Sequence, residues 1–98
     1  MTRDLIIRPE AEADLADAYT WYDRQRKGLG GDFVREVERK LHALRDLPES
    51  FPVVYQDVRR ALTKRFPYGI YFVLDDSRII VIAIFHAKRN PKTWQRRI

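Results

Sequence analysis

Seven consecutive apolar residues, Ile79-Ile80-Val81-Ile82-Ala83-Ile84-Phe85, leave a β-strand with no side that belongs in water. Side chains on a strand alternate between two faces, so an unbroken apolar run has to be covered on both. The chain must therefore build layers around this segment. At seven residues the run is far short of the roughly 20 that a spanning helix needs. The stretch Met1–Glu10 carries no signal-type apolar region. A cytoplasmic protein without membrane contact is the expectation, and 98 residues suffice for one domain over 1–98.

The layers can be read along the chain. Leu5-Ile6-Ile7, ended by Pro9, predicts a first strand at about 3–8. Pro9 suits a first helical turn, and Glu10 and Glu12 complement the helix dipole. Ala11, Leu15, Ala18 and Tyr22 recur at helical spacing up to about Arg26, with Tyr19 and Trp21 beside them read mainly as core. Gly28, Gly30 and Gly31 break that helix, and Asp32 is placed as the cap of a second one. Its stripe is Phe33, Val37, Leu41 and Leu44, with Glu36 and Lys40 as an i, i+4 pair and Pro48 as the stop. His42 falls on its surface. Val58 to Arg65, Tyr68 to Leu74 and the run from Ile79 then predict a three-strand meander turned at Asp75-Asp76-Ser77. Asn90-Pro91 predicts one short helical turn around Trp94. The fold class is α+β, in the order β-α-α-β-β-β, with a helical hairpin on one face of a small, curved, largely antiparallel sheet. The opposite face and the C-terminal tail remain for binding.

Charge is divided unevenly. Residues 1–57 hold nine Lys/Arg and twelve Asp/Glu, whereas residues 58–98 hold ten Lys/Arg against Asp75 and Asp76 alone. The strand from Ile79 delivers His86, Lys88, Arg89, Lys92, Trp94, Arg96 and Arg97 to one edge without an intervening acid. Such a surface suits nucleic acid or an acidic protein, or is simply a solvated basic face. His86 has the ordinary pKa for proton transfer near neutrality, or else is a strand-end histidine bonded to backbone. Trp94 either stacks on a partner or folds back over the sheet. With no cysteine and two distant histidines, neither a metal site nor a cofactor is expected. No phosphate-binding glycine loop or serine nucleophile elbow occurs.

Several strings together resemble the RelE/ParE superfamily of bacterial toxins from type II toxin–antitoxin modules. They are Arg8-Pro9-Glu10-Ala11-Glu12-Ala13-Asp14-Leu15, Tyr19-Thr20-Trp21-Tyr22, Leu29-Gly30-Gly31-Asp32-Phe33 and Leu44-Arg45-Asp46-Leu47-Pro48. Arg65-Phe66-Pro67-Tyr68-Gly69-Ile70-Tyr71-Phe72 and the stretch from Ala83 to Trp94 complete the series. The resemblance implies an acidic cognate antitoxin as partner, and one of two activities. RelE-like members cut mRNA on the ribosome; ParE-like members bind and poison DNA gyrase. The nuclease branch places an arginine three residues before a strand tyrosine, where this chain has Tyr68 ahead of Tyr71. That departure, and the tail His86-x-x-Arg89-x-Pro91-x-x-Trp94, are similar to the ParE branch. The resemblance then implies a non-catalytic inhibitor that meets target or antitoxin through Arg59, Arg60, Lys64, Arg65, Lys88, Arg89, Trp94, Arg96 and Arg97. His86 is the catalytic candidate should the activity be ribonucleolytic. A non-toxic basic module of the same fold is the remaining alternative.

Overall fold

The computed structural model describes residues 3–98. Strand β1 (Asp4–Ile7) leads into helix α1 (Pro9–Gln25) and helix α2 (Leu29–Asp46), followed by a 3-10 turn at Pro48–Ser50. Strands β2 (Val53–Tyr55), β3 (Val58–Leu62), β4 (Tyr68–Leu74) and β5 (Arg78–His86) come next, and a short helix α3 (Lys92–Gln95) ends the fold. The sheet order is β1-β5-β4-β3-β2, antiparallel except for the β1–β5 pair. Both long helices pack on one face, as the patterning predicts.

The apolar run is internal and covered twice. Ile79, Val81 and Ile84 meet the helical layer of Ala11, Ala18, Tyr22, Phe33, Val37 and Leu44. Ile82 and Ala83 belong to a smaller cluster on the other face with Val58, Tyr71 and Trp94. The change of parity between Val81 and Ile84 has a cause. Tyr71 pairs with Ala83 and Phe72 with Val81, so Ile82 is an extra, bulged residue. A bulge of one residue exchanges the two faces for everything beyond it. Ile84 and His86 are thereby sent to the helix side and Phe85 to the open side.

Five details differ from the sequence expectations. Helix α2 begins at Leu29, because the Asp23 carboxylate accepts the Gly28 N–H at 2.9 Å and the Gly30 N–H at 3.3 Å. Asp32 is therefore inside the first turn, paired with Arg35 and Arg65, and is not the cap. Glu36 does not serve Lys40; its carboxylate accepts the backbone N–H groups of Lys64 and Arg65 at 2.6 and 2.7 Å. Strand β3 consequently stops at Leu62 and the chain turns, with the Thr63 hydroxyl donating to the Phe66 carbonyl at 2.6 Å. An edge strand, β2, is added beyond the predicted meander. Finally, only Tyr22 of the α1 aromatics is core: Tyr19 is 43% and Trp21 52% exposed.

Candidate functional site

Asp14, Asp17, Ala18 and Trp21 recur along one flank of α1 at spacings of three, one and three, facing the end of β5. Strand β1 pairs with β5 only as far as Val81, so beyond it the α1 flank and the strand end enclose an open groove. Tyr68, Ile84, Phe85, His86 and Arg89 line its other side. Its volume is roughly 200 Å³, enough for a side chain or two rather than a cofactor.

His86 owes its position in this groove to the Ile82 bulge. Its ring stands edge-on to Tyr68, centroids 5.4 Å apart. Its Nδ1 accepts the Lys88 N–H at 3.1 Å, closing the turn after β5. Burial pushes the imidazole below its usual pKa, and the charges of Arg89 and Lys88 push the same way. Burial also raises the Tyr68 phenol, an effect that Arg89 opposes and Asp14 reinforces. At neutral pH the groove thus presents a neutral imidazole, a neutral phenol, the Arg89 cation and the exposed indole of Trp21.

The other candidates are dispersed. Arg59 points to the helix side, where one guanidinium nitrogen donates to the carbonyls of Glu49 (3.1 Å) and Phe51 (2.7 Å), making it a strut for the loop before β2. Arg60 lies on the open face of the sheet, against Gly69 and Tyr71. Lys64 and Arg65 are exposed but anchored to α2 by their backbone, and the Arg65 guanidinium lies 5.1 Å from the Phe66 ring centre. Lys88 is exposed. Arg96, with Tyr55, Lys92 and Gln95, rims a shallow depression at α3. Arg97 is bound to Asp14 at 2.6 Å and to the Ile82 carbonyl at 3.1 Å, so it is a structural tie. Trp94 folds back, 3% exposed, and stacks on Tyr71 with centroids 4.3 Å apart. Its free face meets the edge of Tyr55 at 5.8 Å.

Two consequences follow. His86, the catalytic candidate, stands on the helix side of the sheet with Arg89 in the same groove, whereas Arg60 occupies the open side. Conversely, Trp21 and Asp14 form part of the groove although neither was a candidate from sequence. A signal for Asp14 did exist: it is i+3 from Ala11 and i−4 from Ala18, so a carboxylate sits inside the apolar stripe of α1. No helix is long and apolar enough to cross a membrane among the described residues.

Comparison with known proteins agrees with this architecture. Residues 5–91 match the family described as ParE toxin of type II toxin-antitoxin system, parDE. Toxin ParE2 of Mycobacterium tuberculosis, from strains CDC 1551 / Oshkosh and ATCC 25618 / H37Rv, is 26% identical over 102 residues, covering all of this chain and 94% of the relative. A solved structure titled Chromosomal ParDE TA system from P. aeruginosa superposes with a TM-score of 0.80 at 19% identity. It covers 89% of this chain and 98% of its own.

Proposed function

Because the chain belongs to the ParE toxin family of type II toxin–antitoxin systems, we propose that it acts in the cytoplasm by docking on DNA gyrase and is silenced by an acidic antitoxin. The observation that carries this reading is the exposed indole of Trp21 beside Arg89 on the groove between α1 and the end of β5. Transfer of a phosphoryl group within RNA needs a base and phosphate-holding cations within reach of one atom. Here the half-buried imidazole shares its groove with one cation, Arg89, and with the carboxylates of Asp14 and Asp17, which disfavour an incoming phosphate. Recognition of a protein needs no such constellation. An exposed indole beside an arginine is a favoured anchor of protein interfaces, and Trp21 and Arg89, which line the same groove, are assigned to the target contact.

The test is a supercoiling assay with purified gyrase. The wild-type chain should inhibit it, and His86→Ala should inhibit nearly as well. Unimpaired supercoiling at saturating toxin would remove the reading. If translating ribosomes instead yielded new mRNA ends, lost in His86→Ala, the activity would be that of a ribosome-dependent endoribonuclease.

A further inference from the structure

The face of the sheet away from the long helices carries a notch built around one arginine. The cross-strand register puts Leu62, Gly69 and Phe85 in a single row over β3, β4 and β5. The middle member has no side chain. A Cβ at Gly69 would stand 3.0 Å from Tyr71 Cε2 and 3.1 Å from both Cγ and Cδ of Arg60. The Arg60 stem therefore occupies the space that any other residue at 69 would fill. Tyr71, which limits it on one side, is itself held by the stacked indole of Trp94. A long side chain immobilised in this way has already lost most of the rotamer freedom that binding would otherwise take from it. The Arg60 Nε is closed off from solvent and has no hydrogen-bond partner among the described residues. Nε itself is out of an incoming group's reach, so an acceptor would meet the terminal guanidinium nitrogens of this half-buried side chain, which have no hydrogen-bond partner among the described residues.

We propose that this notch seats an acidic segment of the antitoxin, with one carboxylate on the Arg60 guanidinium and flanking apolar side chains on Leu62 and Phe85. The inference rests on the reading that an acidic antitoxin silences the toxin, and it names the contact. A carboxylate matches the planar guanidinium with two parallel hydrogen bonds. The walls suit aliphatic neighbours: Leu62, a large apolar side chain, is 47% exposed. The excess of Lys and Arg over Asp and Glu in residues 58–98 draws an acidic chain to this half of the molecule. A nucleic-acid strand fits less well, because its phosphates need a run of cations. Next along the chain, Lys64 and Arg65 have their backbone held to Glu36 on the α2 side.

The experiment measures affinity of the full chain for its cognate antitoxin by calorimetry, alongside gyrase inhibition. Arg60→Gln should weaken antitoxin binding by about tenfold or more, with a smaller loss for Arg60→Lys. Gly69→Ala should act in the same direction by displacing the arginine. Gyrase inhibition by Arg60→Gln should persist, since the target contact is on the helix side. Asp and Glu positions of the antitoxin, changed singly to amides, should include one whose effect vanishes in the Arg60→Gln background. Four results would overturn the proposal: a loss below about twofold in Arg60→Gln with a native circular-dichroism spectrum, an equal loss in the surface control Arg39→Gln, no coupled acid in the antitoxin, or a loss confined to a single-stranded RNA oligonucleotide. Antitoxin that fails to bind even the wild type would take the functional reading down as well. Normal binding that ignores Arg60 removes this inference alone.

Discussion

Asp14 and Arg97, 83 positions apart in the chain, meet through two hydrogen bonds of 2.6 and 3.0 Å and together satisfy the β5 edge where β1 has ended. Strand β1 pairs with β5 only as far as Val81, and beyond it two backbone groups of β5 are met by side chains. Asp14 accepts one of them, the Ile84 N–H at 3.1 Å, and Arg97 donates to the other, the Ile82 carbonyl at 3.1 Å. Each group is thus satisfied by a side chain that also neutralises its neighbour. The hydrogen bonds that Arg97 donates to Asp14 raise its pKa further, against the opposing effect of burial.

Removing one member should therefore hurt more than removing both. The side chains are 13% and 17% exposed for Asp14 and Arg97, close to the buried regime in which a broken pair costs about 3–5 kcal/mol. Asp14→Ala is expected to lose roughly 3 kcal/mol in urea unfolding, and the double change Asp14→Leu with Arg97→Met to recover part of that. Equal, additive losses below about 1 kcal/mol would mean that the pair is solvated.

His86 predicts the direction of a pH effect. Its folded pKa is depressed, by burial first and then by Arg89 and Lys88, from the ordinary 6.5. The unfolded chain therefore takes up this proton before the folded one does. The stabilising contribution is complete above about pH 6.5 and is lost as pH falls through that value to the lower folded one. Asp14, Asp17 and the Tyr68 ring face the imidazole across the groove, and protonated Nδ1 can no longer accept the Lys88 N–H. Denaturation midpoints measured from pH 7.5 to 5 should fall for the wild type and flatten for His86→Gln. Parallel curves would assign the acid sensitivity elsewhere.

The two tryptophans should separate stability from binding. Trp94→Ala removes the stack on Tyr71 and the edge contact with Tyr55, and is expected to cost about 3–5 kcal/mol. Trp21→Ala should alter stability by less than about 0.5 kcal/mol while weakening gyrase inhibition severalfold. Fluorescence checks the assignment: Trp21→Phe should leave blue-shifted emission from the buried indole, and Trp94→Phe red-shifted emission from the exposed one.

Gly30 is where the two long helices touch. A Cβ there would lie 2.6 Å from the Tyr19 carbonyl oxygen and 2.9 Å from its ring. The backbone oxygen cannot move aside without shifting α1, so Gly30→Ala should destabilise by about 1–3 kcal/mol despite the better helix propensity of alanine. Gly31→Ala meets only the flexible Arg35 side chain, at 3.4 Å, and should be near neutral or stabilising. Thermal melts of the two variants side by side make the comparison. Similar melting points would show that the helices can part at no expense.

Much of the fold could be read from periodicity. Ala11, Ala18 and Tyr22, then Phe33, Val37 and Leu44, occupy the core where helical spacing puts them, and β4 runs from Tyr68 to Leu74 as patterned. Legibility failed where a distant partner decided the outcome. Asp32 looks like a cap in its own neighbourhood, but Asp23 reaches the helix start first. Glu36 has Lys40 one turn away, yet two backbone donors from the β3–β4 turn bind it. The bulge at Ile82 is invisible inside a run where every residue is apolar, and with it the face on which His86 emerges. For the same reason Arg59, Arg60 and Arg97 could be identified as cations but not sorted into strut, notch and tie.

The parallel pairing of β1 with β5 bears on how the chain reaches this state. Asp4 lies opposite Arg78 and Ile7 opposite Val81, so residues 8–77, most of the polypeptide, are looped between the two strands. The β4–β5 hairpin turns within Asp75-Asp76-Ser77 and the helical hairpin within a few residues, so both close at much lower entropic cost. On closure entropy the first strand is therefore expected to dock last. Until it does, β5 has one unpaired edge on an apolar strand, the most adhesive surface the molecule ever exposes. The newly made chain accordingly passes through a sticky interval that the finished toxin conceals, and its yield in a cell depends on how quickly four residues find their place.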